Sequence, residues 1–246
     1  ILNQTYQDFL LLVGVDGAVG EDLDKILQGY QDHKKVKVLW FKENRGLTNV
    51  LNDLLKEGKK LQPKFFARMD ADDISKTDRF ERQVNYLENN PDLDVIGGAI
   101  EEMEYDGHIN GKVINYPLTH QECFKFFATR NPLAHPAVMF RNSFFEKVSS
   151  YNASYKKNQD TELWYRAFKA GCKFGNLKDI VLTFRISKDM YARRGGTKFA
   201  KEVLRLRNEI HRGLGYGMKA TIFGYAYYIM AISPGWMKEF AYKTFR

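Results

Sequence analysis

The stretch Phe65-Phe66-Ala67-Arg68-Met69-Asp70-Ala71-Asp72-Asp73 runs from apolar residues straight into a cluster of carboxylates. A short apolar run bounded by polar residues predicts a buried strand, and on an open parallel sheet ligands collect at the carboxyl ends of strands. The acids therefore stand where a ligand would bind. Carboxylates this close repel one another unless a cation neutralises them, and hard oxygen donors shared with water and phosphate suit Mg²⁺ or Mn²⁺. A plainer role is capping, since Asp73 or Ser75 could cap a helix that starts near Asp78. Capping accounts for one acid, whereas a metal and phosphate site accounts for all of them.

Upstream, residues 1–6 read as the end of a helix. Residues 8–15 (Asp-Phe-Leu-Leu-Leu-Val-Gly-Val) read as a buried strand closed by Asp16-Gly17, a second strand end that carries an acid. Leu23, Ile26 and Leu27 have helical spacing, residues 36–41 form a further strand ended by Asn44-Arg45-Gly46, and Leu47, Val50, Leu51, Leu54 and Leu55 return to helical spacing. Strand and helix thus alternate up to a central strand at Phe65. This predicts an α/β fold with a mostly parallel sheet, right-handed crossovers and flanking helices, of the nucleotide-binding type.

Downstream, residues 79–89 predict a helix stopped by Asn90-Pro91, and residues 94–99 a strand leading into a hairpin at Asp106-Gly107. His135 sits between Pro132 and Pro136, just before an apolar strand; a lone histidine in such a place is more often structural than functional. Gln159-Asp160-Thr161-Glu162-Leu163-Trp164 opens a helix, with Asp160 readable either as a first-turn acid or as a functional carboxylate. Residues 173–186 predict a strand, and residues 187–198 a basic, glycine-rich loop. Its Arg193 and Arg194 could close over a diphosphate or form a solvated charge run.

With 246 residues, 44% of them hydrophobic, the chain can bury one core plus a small appendage. The division expected is residues 1–198 as the main domain and 199–246 as a basic, aromatic-rich helical tail. Cys123 and Cys172 fit no metal spacing and read as buried thiols in a reducing compartment. The chain opens at Ile1 without a charged-then-apolar leader, and its native beginning is expected to lie upstream. A net charge of +8 points to acidic company: a phosphorylated substrate, nucleic acid or an anionic membrane surface. Nucleic acid is disfavoured because the aromatic residues gather in the tail and not on a basic sheet face. The tail suits a segment lying on a membrane, a helix packed on the domain, or a partner contact.

Taken in order, residues 1–6, Val15-Asp16-Gly17, Asn44-Arg45-Gly46-Leu47, Asp70-Ala71-Asp72-Asp73, residues 131–136 and Gln159-Asp160-Thr161-Glu162-Leu163-Trp164 resemble the family 2 glycosyltransferases. The resemblance covers residues 1–194 and implies a GT-A fold, in which a nucleotide-binding sheet joins an acceptor-binding half and transfer inverts the anomeric centre. It implies Asp72 as the ligand of Mn²⁺ or Mg²⁺, Asp70 against the donor ribose or sugar, Asp16 holding the nucleoside, and Arg193 and Arg194 on the donor diphosphate. Asp160 would be the general base, with His135 and Trp164 on the acceptor side. The family's first strand would precede Ile1, and Gln159 stands where relatives often carry an acid. The expected reaction moves a hexose from a nucleotide diphosphate sugar, UDP-linked, to a saccharide or lipid-linked saccharide in surface polysaccharide or lipopolysaccharide assembly. The expected location is cytoplasmic, peripheral on the inner face of the cell membrane, with no nucleic-acid partner and oligomerisation left open. The alternative is a non-catalytic sugar-nucleotide binder or scaffold, which has no reason to keep Asp72 and Asp160 together.

Overall fold

Parallel pairing needs a long crossover, and the first part of the chain supplies one. The computed structural model describes residues 1–187 and 196–233. In it β1 (Leu11–Asp16), α1 (Glu21–Gln28), β2 (Val36–Phe41) and α2 (Leu47–Lys59) follow in order. β1 and β2 pair in parallel, from Leu11 opposite Val36 to Asp16 opposite Phe41. α2 lies so close on β1 that a Cβ at Gly14 would come within 2.4 Å of Val50 Cγ1, so only glycine lets the helix settle there.

The chain continues through β3 (Phe65–Ala67), β4 (Ile74–Ser75), α3 (Arg79–Asn89), β5 (Val95–Met103), β6 (Ile109–Ile114) and α4 (His120–Phe127). A 3₁₀ turn at His135–Ala137 leads to β7 (Met139–Arg141), α5 (Phe144–Val148), α6 (Gln159–Lys169), β8 (Phe174–Arg185), α7 (Thr197–Gly213) and α8 (Met218–Ile232). A second sheet has the order β3-β7-β5-β8-β4, with β6 on β5. β5 is its spine: β8 runs parallel along its length, while β7 and β6 pair antiparallel with its first and last residues.

The α/β class therefore stands, but three details differ from expectation. Among the described residues only β1·β2 and β5·β8 are parallel, and the remaining pairings are antiparallel. Strand β3 is an edge of its sheet and not the centre, held by β7 through Phe65 opposite Arg141. An apolar run specifies burial but not which strand lies beside it, and the alternation that implied crossovers ends at Phe65. Residues 1–6 form turns, not a helix. Gln4 is buried there and serves α3, its Oε1 accepting from Phe80 N at 2.9 Å and its Nε2 donating to the Lys76 carbonyl at 2.6 Å.

The largest core cluster is aromatic. Trp164 is fully buried between α5, β7 and β8, stacked 5.9 Å from Phe140, and Phe168 stacks 4.0 Å from Phe174. Leu206 and Ile210 of α7 belong to the same cluster, and His211 Nε2 bonds the Ala128 carbonyl at 2.8 Å. The first helix of the tail is thereby part of the core. Trp164→Ala is expected to cost about 3–5 kcal/mol of unfolding free energy, read as a lower urea midpoint at unchanged m value. An unchanged midpoint would show that the indole is not the keystone of this cluster. Among the described residues no helix is long and apolar enough to cross a membrane.

Candidate active site

The end of β3 is fixed from two sides. The fully buried Arg79 of α3 donates to the carbonyls of Arg68 at 2.8 Å and Val138 at 3.1 Å, while its Nε bonds Gln83 Oε1 at 3.0 Å. Beyond the acids, β4 pairs with β8, and Arg185 of β8 binds back onto the loop. Its backbone N–H donates to Asp73 Oδ1 at 2.9 Å and its Nε to the Asp72 carbonyl at 3.0 Å. The Arg68 guanidinium forks onto both oxygens of Asp70, with Nη1 to Oδ2 at 2.9 Å.

Asp70, Asp72 and Asp73 can each bring a carboxylate oxygen within 4.8 Å of the others. Burial pushes the Asp73 carboxyl up to about 7, against the pull of the Arg185 hydrogen bond and with the added repulsion of Asp70 and Asp72. Asp73 Oδ2 is buried and has no hydrogen-bond partner. An orphaned buried carboxylate oxygen beside two more carboxylates is the donor set of a hard divalent cation, so these residues fit Mn²⁺ or Mg²⁺.

A second carboxylate is held at the start of α6. Asn131 Nδ2 donates to Asp160 Oδ2 at 2.8 Å, and Asn131 Oδ1 accepts from Thr161 Oγ1 at 3.0 Å, which orients the amide. The neighbouring Glu162 is buried and pairs with Arg166, Nε to Oε1 at 2.7 Å and Nη2 to Oε2 at 2.9 Å. Glu162 is thus committed to the fold while Asp160 faces open space. One cavity of about 730 Å³ is lined by Arg68, Asp70, Asp72 and Arg185 as well as by Asn131 and Asp160.

The structure therefore brings together Asp70, Asp72, His135 and Asp160. His135 is a mostly buried part of the wall whose Nε2 shares a 2.9 Å hydrogen bond with the Tyr151 hydroxyl. Burial, and then the charge of Arg68, hold it well below the ordinary imidazole range, so it is neutral. Trp164 does not line the cavity: with no exposed surface it packs in the core against Phe140, Phe144 and Phe174, one helical turn beyond Asp160. Asp16 also lies outside the cavity lining. Its oxygens accept from Arg45 N at 2.6 Å and Gly46 N at 2.9 Å, fixing the turn that starts α2, whose Leu47 does line the cavity. Arg193 and Arg194 lie outside the described residues. Sequence reasoning missed Arg68, Arg79, Arg185 and Arg207 as parts of the site, and it had Asn131 only as the first residue of the 131–136 motif, without a role. Arg68 had a usable signal, two residues from Asp70; Arg185 and Arg207 come from distant segments and had none.

An α/β core with clustered carboxylates at a strand end, sharing a cavity with a separately held carboxylate, agrees with the GT-A glycosyltransferase class that the sequence resemblance implies. Residues 1–149 match Glycosyl transferase family 2, and the chain belongs to this family. It is 27% identical over 197 residues to the UDP-Gal:alpha-D-GlcNAc-diphosphoundecaprenol beta-1,3-galactosyltransferase of Escherichia coli, covering 80% of this chain and 70% of that protein. It is 30% identical over 188 residues to the O-antigen biosynthesis glycosyltransferase WbnJ of Escherichia coli, covering 76% of this chain and 71% of the relative. Among solved structures, S. aureus TarS in complex with UDP superposes with a TM-score of 0.59 at 17% identity, over 86% of this chain and 62% of that one. The mannosyltransferase PcManGT of Pyrobaculum calidifontis, solved with GDP-Man and Mn²⁺, gives 0.58 at 13% identity, over 98% of this chain and 72% of the other. At these identities the structural matches speak for the fold.

Proposed function

We propose that this glycosyltransferase moves a hexose, with inversion, from a UDP-sugar to a saccharide or lipid-linked saccharide acceptor during assembly of a bacterial surface polysaccharide or lipopolysaccharide. The observation that carries this reading is the single cavity lined both by Asp70 and Asp72, against which Asp73 is clustered, and by Asp160. UDP-linked and lipid-diphosphate substrates in the name of one relative, O-antigen biosynthesis in that of another, and UDP or Mn²⁺ in the structural matches support the choice.

A sugar hydroxyl is a weak nucleophile at neutral pH. Asp160, oriented by Asn131, accepts its proton as the oxygen bonds to the anomeric carbon. On the opposite face the bond to the diphosphate breaks, and its electron pair leaves with the nucleoside diphosphate. Asp72 and Asp73 would hold a divalent cation, which would supply positive charge to neutralise the departing diphosphate. Asp70, locked by Arg68, faces the donor ribose or sugar, and Arg185 places a guanidinium beside the same group. Arg193 and Arg194 are assigned to the diphosphate. Asp16 supports the nucleoside side through the turn it holds. His135 forms part of the acceptor wall.

The reading is tested with a panel of UDP- and GDP-sugars, measuring nucleoside diphosphate release with Mn²⁺, Mg²⁺ or EDTA. Turnover of at least one donor that EDTA abolishes is expected. Failure of every donor, together with no measurable UDP affinity, would overturn it.

The same reading places the protein on an anionic membrane surface. Met218, Ile222, Tyr225, Ile229 and Ile232 recur along α8 at helical spacing, and all are exposed. Burying a large apolar side chain contributes about 1.5–3 kcal/mol. Ile222→Ser with Ile229→Ser is accordingly expected to lower co-sedimentation with anionic liposomes at least about 10-fold. Equal sedimentation of the variant and the native chain would remove α8 as the contact.

A further inference from the structure

Tyr151 does not line the cavity, yet it decides what one of the lining residues offers there. A single side-chain amide of α2 clamps its backbone: Tyr151 N donates to Asn52 Oδ1 at 2.9 Å, and Asn52 Nδ2 donates to the Tyr151 carbonyl at 2.9 Å. The phenol is buried, and burial pushes its pKa up, so it keeps its proton. Among the described residues its hydroxyl has one partner, His135 Nε2 at 2.9 Å.

The tautomer of His135 follows from that pairing. Burial keeps the ring neutral, and a neutral imidazole carries one N–H and one lone pair. If Nε2 bore the hydrogen, it would donate to the phenol oxygen and leave the buried O–H without an acceptor, which is the costlier arrangement. The phenol therefore donates to Nε2, and the ring hydrogen sits on Nδ1. Among the described residues nothing accepts from Nδ1, and the ring forms part of the cavity wall. The rings of Tyr151 and Trp164 stand edge-on to it, with centroids at 5.6 and 6.1 Å, and Pro136 stiffens the 3₁₀ turn that carries it. Turning the ring over would break the phenol bond, so the two nitrogens keep their places.

We propose that Tyr151 is a positioning residue that fixes His135 as an Nδ1–H donor, and that this N–H holds a hydroxyl oxygen of the acceptor sugar beside the hydroxyl that Asp160 deprotonates. The proposal rests on the transferase reading and gives its acceptor wall a polarity. His135 lies four residues beyond Asn131, which bonds Asp160, so one short segment orients the base and presents the donor. A hydrogen bond to the reacting oxygen itself would compete for the lone pair that attacks, so the partner is a neighbouring hydroxyl. With Nε2 occupied by the phenol and Nδ1 carrying hydrogen, His135 has no lone pair left to act as a base.

The test is NMR of isotope-labelled histidine rings in the full chain, with calorimetry beside it. Long-range proton–nitrogen correlation spectra distinguish a ring nitrogen that bears hydrogen from one that carries a lone pair. The His135 signals, assigned by their loss in His135→Asn, should show hydrogen on Nδ1 and a hydrogen-bonded lone pair on Nε2. In Tyr151→Phe that lone pair loses its donor, and both tautomers should appear. Nitrophenyl glycosides of the common hexoses, added with UDP and Mn²⁺ present, are the acceptor probes, and at least one should shift the Nδ1 resonance. Affinity for that glycoside should fall about 10-fold in His135→Ala but stay within about 3-fold of native in His135→Asn, whose amide N–H takes the place of Nδ1–H. A histidine that only supports the fold would give neither the shift nor the asparagine rescue. Hydrogen on Nε2 in the native protein would overturn the proposal. So would a failure of every glycoside to move the His135 signals, or equal losses in the alanine and asparagine variants. Absence of UDP affinity in the native protein would instead count against the transferase reading, and the tautomer would still be decided by the spectra.

Discussion

Asp160→Asn is expected to leave affinity for UDP and Mn²⁺ near native while lowering sugar transfer at least about 100-fold. The substitution keeps the shape of the side chain, and its carbonyl oxygen can still accept from Asn131 Nδ2, so the start of α6 should hold. What it removes is the capacity to take a proton. No neighbour replaces it: Glu162 is buried against Arg166, and His135 is tied to the Tyr151 hydroxyl. Initial transfer rates at saturating donor, set beside calorimetric UDP affinity, measure the split. Transfer near the native rate would reduce Asp160 to a first-turn acid of α6. Collapse of folding and UDP binding together would make its role structural.

Asp72→Asn should act on the other side of the cavity. Affinity for UDP in the presence of Mn²⁺ is expected to fall at least about 100-fold, because loss of even an outer-shell contact to a metal commonly costs 10–100-fold and this change removes a charged ligand. Asp72 is exposed, and the loop contact it makes runs through its backbone carbonyl to Arg185, which the substitution leaves intact. The fold should therefore survive, with a thermal midpoint close to native. Calorimetry with UDP in Mn²⁺ and then in EDTA separates the metal-dependent part of binding from the rest. Undiminished metal-dependent affinity would shift the ligand role to Asp70 and Asp73 alone. The two variants should have opposite signatures, one losing chemistry with binding intact and the other losing binding first.

How much of this was legible beforehand depends on how far apart in the chain the interacting groups lie. Asp70, Asp72 and Asp73 are contiguous, so a strand that ends in acids announces them. Asp160 was legible as a first-turn acid, whereas the commitment of Glu162 to Arg166 is visible only in the fold. The same helix misled over Trp164: four positions keep it on nearly the same face as Asp160, but one turn further along, that face is covered by Phe140, Phe144 and Phe174 and not by the cavity. Residues 1–6 misled for another reason: Gln4 is committed to the start of α3 across a separation that no local pattern encodes.

Composition and periodicity by themselves determined the α/β class, the alternation of strand and helix from β1 to β3, the acid cluster and the basic, apolar tail, because each of these is a property of neighbouring residues. Strand neighbours, the edge position of β3, the Asn131 contact to Asp160 and the inward turn of Arg207 were decided only by tertiary structure. Those features are pairings across long separations, fixed when the shared aromatic core draws β7, β8, α6 and α7 together. An apolar face specifies that a segment must be buried, while the partner it is buried against is set by packing the whole chain.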